Sequence, residues 1–336
     1  MTTVRDIAAE AGVSAMTVSN VINGRTDKVS VATAERVRSI MARTGYVPNG
    51  PATALSTSRS NIVALIHAAS GRRSQPSPHD SIFLDEVERR VTGTGRFLMI
   101  RSADDVAQTS AELRSWRVDG AIVLGAFASE ADEVQAQLGL PLVFVDNYST
   151  SSRISRVGLD DFQGGLLAAR ELIGAGHRRL ALVAPGVDRP GVIHQRYLGF
   201  RAAVAEASLD RNSLELIDCE PFFDPSWELG SALARRQDRP TGLFATADII
   251  AIGLLKGMAE AGVQVPTAAS IVGFDDLPEA RYVTPSLTTI RQDIPAKAQA
   301  AVDALLTLIE GNERPAEVRL PVTLCRRGSV APAPPD

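Results

Sequence analysis

The sequence predicts an α/β protein whose larger part is two similar halves of parallel βα units, preceded by a small all-helical unit. Three observations carry that expectation. From Asn61 onward, short apolar runs alternate with amphipathic segments at helical spacing, the signature of parallel strands joined by crossover helices. Residues 1–60 lack that rhythm and are punctuated instead as short capped helices. The chain has 336 residues, 45% of them apolar and 22% charged, enough for two or three domains that each bury a core.

The helical unit comes first. Thr3 with Asp6 forms a loose capping box, Glu or Gln being the usual partner, and the first helix runs to Gly12. Ser14 caps a second helix of about two turns carrying Met16, Val18, Val21 and Ile22, and Asn23-Gly24 stops it. Ser30 caps a third helix with Val37, Ile40 and Met41 at helical spacing, closed by Gly45. The run Val47-Pro48-Asn49-Gly50-Pro51 then interrupts the pattern. Helix, Gly12-Val13 turn and helix together form a helix-turn-helix unit: Ala8, Ala9 and Ala11 permit close approach, Gly12 the tight turn, and Val13 plugs the angle. In that geometry the second helix enters a DNA major groove. Ser14, Thr17 and Ser19 suit phosphate contacts, and Ala15, Met16 and Asn20 project from the exposed face. An ordinary αα-hairpin has the same spacing. Spacing leaves both readings open; residues 1–60 carry seven basic and four acidic side chains, so they are at +3 within a chain of net charge −4. A basic unit on an acidic body is suited to meet a polyanion alone.

In the larger part the expected strands are Ile62 to Ile66, Phe97 to Ile100, Gly120 to Leu124, Leu142 to Val145, Leu180 to Val183, Leu243 to Ala245 and Ile271 to Gly273. Their apolar runs are continuous, as in parallel strands buried on both faces. Phe83 to Val91, Gly165 to Ile173, Arg196 to Glu206 and Ile249 to Glu260 read as helices between them. The proline-rich end, Ala331 to Asp336, reads as a disordered tail.

Several classes of function are disfavoured. Cys219 and Cys325 are too few and too far apart for a disulfide framework or a zinc site. His67, His79, His177 and His194 lie apart, and no Ser/His/Asp or His/Glu spacing emerges, so neither catalytic residues, a metal nor a cofactor is expected. Gly174-Ala175-Gly176 reads as a helix stop. Met1 to Glu10 lacks a basic stretch followed by an apolar run, and no window approaches the ~20 apolar residues of a membrane helix. A cytoplasmic protein is the expectation.

Val4-Arg5-Asp6-Ile7-Ala8 through Gly12-Val13-Ser14, then Thr17-Val18-Ser19-Asn20-Val21-Ile22-Asn23, closely resembles the headpiece of the lactose-repressor (LacI/GalR) family. Further stretches follow in that family's order: Gly45-Tyr46-Val47-Pro48-Asn49, Gly176-His177-Arg178-Arg179-Leu180-Ala181-Leu182, Arg196-Tyr197-Leu198-Gly199-Phe200, Val272-Gly273-Phe274-Asp275-Asp276 and Leu287-Thr288-Thr289-Ile290-Arg291-Gln292. The resemblance implies a headpiece over residues 1–48, a hinge helix and linker over 49–60, and a two-lobed periplasmic-binding-protein-like core over 61–330. It implies a DNA-facing set of Thr3, Ser14, Ala15, Met16, Thr17, Ser19, Asn20, Asn23, Ser30, Asn49, Ala52 and Leu55, with Leu55 wedged into the minor groove at the centre of a pseudo-palindromic operator. A two-turn hinge helix is unstable alone and needs a partner helix and DNA to form.

The same resemblance places a small effector, a sugar or sugar derivative, in the cleft between the lobes. Asp146, Arg196 and Asp275 are the expected contacts, with Phe222 or Phe223 to stack on a sugar face and Ala247, Asp248 and Gln292 beside them. Carboxylates that accept hydroxyl protons and an arginine fork are the chemistry a polyol requires. Departures from the family pattern bear on specificity. Asn20 stands where arginine, suited to guanine, is common; asparagine pairs with adenine or bonds a phosphate. Gly50-Pro51 lacks the usual basic neighbour, and Thr246-Ala247-Asp248 replaces an Asn-Asp pair. Absence of a C-terminal leucine-heptad helix points to a homodimer. The expected function is a repressor controlled by its ligand; a solute receptor without DNA function and an enzyme on an α/β scaffold are the alternatives.

Overall fold

Local signals set the helix ends of the N-terminal unit. A computed structural model describes residues 2–47, 59–68, 77–103, 109–126, 128–312 and 314–335. Its first three helices are α1 (Val4–Ala11), α2 (Ala15–Ile22) and α3 (Val31–Thr44). Thr3 caps α1 in a reciprocal box with Asp6, while Ser14 and Ser30 cap α2 and α3 through their side-chain oxygens. Gly12 at φ 64° and Gly45 at φ 62° take the left-handed conformation that ends α1 and α3, which a Cβ would strain. Ile7, Ala8, Ala11, Val18, Val21, Ala34, Val37 and Ile40 form one buried cluster, with Val13 packed on its side. An ion pair between Arg43 and Glu10 links α3 to α1. Contacts group Met1–Ile62 with Glu112–Asp119 as one unit, and Val63–Ala111 with Gly120–Asp336 as the other.

Along the chain from Ile62 the strands are β1 (Ile62–Ala68), β2 (Phe97–Ala103), β3 (Gly120–Leu124), β4 (Leu142–Val145), β5 (Ser155–Leu159), β6 (Leu180–Ala184), β7 (Leu214–Asp218), β8 (Gly242–Ala245), β9 (Ser270–Asp275), β10 (Thr288–Arg291), β11 (Glu317–Leu320) and β12 (Thr323–Cys325). Helices α4 (Pro78–Gly93), α5 (Ser110–Ser115), α6 (Ala131–Leu138), α7 (Asp161–Gly174), α8 (Val192–Glu206), α9 (Phe223–Ala234), α10 (Asp248–Glu260) and α11 (Ile294–Ile309) fall between them. Two six-stranded sheets result, ordered β11-β5-β4-β3-β1-β2 and β12-β10-β9-β8-β6-β7. The pairs β1–β3, β3–β4, β4–β5 and β5–β11 are parallel, as are β6–β7, β6–β8, β8–β9 and β9–β10; β12 runs antiparallel to β10.

Each sheet with its helices is a lobe. In the first, α4 and α11 bury Phe83, Val87, Ile294, Ala298 and Leu305 against the sheet. In the second, α7 and α8 cover one face and α9 and α10 the other. Close helix approach there depends on glycine. A Cβ on Gly199 of α8 would lie 1.8 Å from the Phe162 carbonyl oxygen, and one on Gly165 of α7 would lie 1.8 Å from that of Arg196. The chain passes between lobes three times: from β5 to α7, from β10 to α11 and from β11 to β12. Strand order reverses at β1/β3 and at β6/β8, which opens a crevice at the carboxyl ends of both sheets.

The end of the chain corrects one expectation. Ala331 and Ala333 are held in place: the Ala331 amide donates to Ser270 Oγ at 3.1 Å and the Ala333 amide to the Ala175 carbonyl at 2.8 Å. Buried His177 places Nε2 3.2 Å from the Ala331 carbonyl. Proline composition excludes a helix or strand of the segment's own; it does not prevent docking on acceptors offered by β9 and the end of α7.

Candidate functional sites

In the N-terminal unit, α2 buries Val18 and Val21 and turns its other face outward, leaving Met16 69% exposed and Ala15 exposed beside it. Thr17, Ser19 and Asn20 are half-buried along that helix. Ser14 Oγ accepts from the Thr17 amide at 3.1 Å, and Asn23 Nδ2 donates to Ser19 Oγ at 3.3 Å. Thr3, Ser14 and Ser30 are therefore the N-caps of the three helices. Each hydroxyl stands at a helix N-terminus, where free amides and the helix dipole favour an anion. Asn49, Ala52 and Leu55 lie outside the described residues.

In the larger unit, loops after the strands of both lobes enclose a cavity of about 770 Å³. Asp146, Arg196, Phe222, Ala247, Asp275 and Gln292 all line it. Asp146 follows β4 and Asp275 ends β9, so each carboxylate emerges at a strand's carboxyl end; both take positive φ, 58° and 123°. Such backbone is unfavourable for a residue with a Cβ and is concentrated at functional sites.

Two sequence-expected contacts are not brought to the cavity. Asp248 is fully buried and its carboxylate accepts from Thr289 Oγ1 at 2.6 Å and the Leu277 amide at 2.8 Å, so it ties α10 to its neighbours. Burial and the Asp275 charge push its carboxyl well above the usual range. Phe223 opens α9 and is 38% exposed, outside the cavity wall that Phe222 forms. Adjacent positions at a helix start point different ways, which sequence alone left open.

Two polar networks run beneath the cavity, and neither is evident in the sequence. In one, Arg196 Nε donates to Asp161 Oδ1 at 2.7 Å, Nη1 to the Thr246 carbonyl at 2.6 Å, and the guanidinium carbon lies 3.4 Å above the Phe274 ring. Tyr148 donates its hydroxyl to Asp161 Oδ2 at 2.7 Å. Burial pushes the Asp161 carboxyl above its ordinary range, against the pull of Arg196. Burial and the Asp161 charge also push the Tyr148 phenol upward. Burial disfavours the Arg196 charge, yet Asp161 and Asp275 hold the guanidinium firmly protonated.

In the other network, fully buried Lys297 of α11 reaches Asp146, Gln292 and His79, and Gln292 Nε2 donates to Asp275 Oδ1 at 2.5 Å. Burial raises the Asp275 carboxyl, opposed by the Arg196 charge and the hydrogen bond from Gln292. Asp80 is half-buried, and its partial desolvation opposes its charge, but hydrogen bonds from His67 and His79 hold it below the usual carboxylate range. Lysine on the inner face of a helix was the available signal for Lys297; nothing in the sequence pairs His79 with it. Among the described residues, no group of three or more His, Cys, Asp or Glu is arranged to hold a metal ion, and no helix is long and apolar enough to cross a membrane.

Residues 3–49 match the profile of bacterial regulatory proteins, lacI family, and residues 169–330 match that of the periplasmic binding protein-like domain. Over 346 residues the chain is 32% identical to the HTH-type transcriptional repressor PurR of Pectobacterium carotovorum subsp. carotovorum (strain PC1), covering 99% of this chain and 98% of the relative. The chain belongs to the LacI family. Among solved structures it is similar to the Lac repressor dimer bound to operator and the anti-inducer ONPF, with a TM-score of 0.85 and 25% identity over 98% of this chain and 99% of that one. It also resembles a LacI family regulator from Enterococcus faecium with bound ribose, at a TM-score of 0.71 and 29% identity over 81% of this chain and 99% of that one. As a LacI-family member it is a DNA-binding transcriptional regulator with a ligand-binding core, and not an enzyme.

Proposed function

We propose that this LacI-family regulator is a cytoplasmic repressor that binds a pseudo-palindromic operator as a homodimer, and that a carbohydrate in the inter-lobe cleft controls its affinity for DNA. The observation that carries the ligand reading is convergence: Asp146 from the first lobe, Arg196 and Asp275 from the second and Gln292 from a crossing segment all line one cavity. Phe222 on the same wall offers a ring for the apolar face of a sugar, and Ala247 offers only a methyl where a hydrogen-bonding side chain could stand. Residues 1–48 are the DNA-reading headpiece in this proposal, 49–60 the hinge and 61–330 the effector core.

At the operator, the N-cap hydroxyls of Thr3, Ser14 and Ser30, with Thr17, Ser19, Asn23 and Asn49, hold phosphates. Ala15, Met16 and Asn20 read base edges, Met16 through apolar contact with a thymine methyl and Asn20 through adenine. Ala52 and Leu55 act at the minor groove. Ligand that binds one lobe angle better than another shifts operator affinity, and linkage requires operator to shift ligand affinity by the same factor. To test the proposal, full-length protein is incubated with fragmented DNA of its own genome at near-physiological salt, and the retained fragments are sequenced. Enrichment of a short inverted repeat supports the operator reading, and sugars are then assayed for release. Retention without any shared sequence, with or without added cell extract, refutes it.

A further inference from the structure

Lys297 anchors the lobe-one side of the cleft from below. Its ammonium lies 2.8 Å from Asp146 Oδ2, 2.8 Å from Gln292 Oε1 and 3.0 Å from His79 Nε2. An ammonium has three protons and no lone pair, so these contacts use its whole donor capacity. Its neighbours' hydrogen-bonding roles follow from that. His79 Nε2 has to accept, which leaves the ring proton on Nδ1, and Nδ1 stands 3.0 Å from Asp80 Oδ1. Gln292 presents its amide oxygen to Lys297, which directs Nε2 to Asp275 Oδ1. Asp80 Oδ2 lies 3.4 Å from His67 Nε2; with the proton of a neutral ring on that nitrogen, His67 Nδ1 is a lone pair. Two acceptors then remain. Asp146 Oδ1 and His67 Nδ1 are buried without a hydrogen-bond partner, and both residues line the cavity.

Charge in the cleft points the same way. Lys297 is matched by Asp146. Among the described residues lining the cavity, Arg196 is the one with a permanent positive charge, and it is engaged by Asp161 and the Thr246 carbonyl. Asp275 has a neutral amide as its hydrogen-bonded partner. An added phosphate or carboxylate would find its nearest unpartnered groups to be acceptors, whereas a hydroxyl or amine would satisfy them.

We propose that Lys297 is a positioning residue of the effector site, and that the effector is an uncharged or amino-bearing polyol that donates to Asp146 Oδ1 and His67 Nδ1, not a phosphorylated or carboxylated sugar. The proposal rests on the cleft being the effector site, so its test has two independent arms. In the first, the unliganded full-length protein is labelled with ¹⁵N-histidine and the imidazole tautomers are read by long-range ¹H–¹⁵N correlation. The expected result is Nδ1–H for His79 and Nε2–H for His67, with the His79 tautomer lost in Lys297→Met or, should that variant not fold, in Lys297→Gln. His79 as Nε2–H in the unsubstituted protein would overturn the positioning role.

In the second arm, thermal shift and calorimetry are run with D-ribose, D-glucose and D-glucosamine beside ribose 5-phosphate, glucose 6-phosphate and gluconate, extended to a library of such matched compounds. Anionic members are expected to bind about 100-fold more weakly than their neutral or amino counterparts, since like charges are brought together. Lys297→Met is expected to weaken the neutral binders about 30-fold. Tighter binding of the anionic member of a pair overturns the ligand class. Unchanged affinity in folded Lys297→Met overturns the positioning role. Expected imidazole spectra with no binder in either series would mean that the cleft is not a polyol site, and the ligand class falls with that reading.

Discussion

Replacing Arg196 with methionine removes one member of a buried ion pair while roughly keeping the shape of the side chain. Asp161 is fully buried and Arg196 nearly so, with 2.7 Å between Nε and Oδ1. In Arg196→Met the Asp161 carboxylate keeps only the Tyr148 hydroxyl and the carbonyl of Thr246 loses its donor. Breaking a buried pair costs about 3–5 kcal/mol, because the remaining charge stays desolvated. Loss of the guanidinium over Phe274 adds to this, and the methionine stem offsets part of it. A net loss of about 4 kcal/mol is expected, seen as a drop of about 10 °C in melting temperature for a unit of this size.

The pH dependence gives the loss a signature. Burial already raises the Asp161 carboxyl above 3.8, and removal of Arg196 raises it further. A folded-state pKa raised above the unfolded value means that the folded state takes up a proton more readily. Stability from that uptake is fully present below the unfolded pKa and is lost as pH rises through the folded one. The deficit of Arg196→Met should therefore be largest at neutral pH and narrow on acidification. Urea unfolding of the full-length protein at pH 7 and pH 5 measures it, and Asp161→Asn in the same background should recover part of the loss. A deficit below about 1 kcal/mol, or one equal at both pH values, would refute the reasoning.

Gly199→Ala places a methyl group against the Phe162 carbonyl, 1.8 Å from its oxygen, and has to push α8 from α7. Overpacking of this kind costs about 1–3 kcal/mol, so thermal unfolding should show a clear loss while an alanine at open Gly174 should not. Asn20→Ala leaves the buried cluster of the N-terminal unit untouched. It should cost about 1–3 kcal/mol of operator discrimination, with non-specific DNA binding unchanged, in competition assays against random duplex; equal losses on both DNAs would count against base reading by Asn20.

Much of the N-terminal unit was legible because its determinants are local. Thr3, Ser14 and Ser30 cap helices within three residues of themselves, and Gly12 and Gly45 end helices by their own backbone freedom. In the larger unit, β3 and β4 match the expected boundaries residue for residue, since strands buried on both faces show as unbroken apolar runs. The expectation omitted β5, β7, β10, β11 and β12. β5 alternates buried and half-buried positions, β7 and β11 are largely uncovered, and β12 spans only three residues. Such segments carry little hydrophobic signal and become strands because a neighbour offers its backbone.

The effector cleft divides in the same way. Asp146, Arg196 and Asp275 stand at strand ends and a helix start, and the family resemblance named them and Gln292 as contacts. Lys297 could not, because its partners Asp146 and His79 lie 151 and 218 positions away in the chain. Asp248 shows the reverse: in sequence it looks like a binding carboxylate after a strand, yet in the fold it is taken up by Thr289 and Leu277. Helix ends, buried strands and the helix-turn-helix follow from the sequence by itself, because caps, turns and apolar periodicity act over a few residues. Only the tertiary structure decides which polar groups satisfy one another and which are left facing the cleft, since a buried hydrogen bond depends on atoms brought within 3 Å from anywhere in the chain.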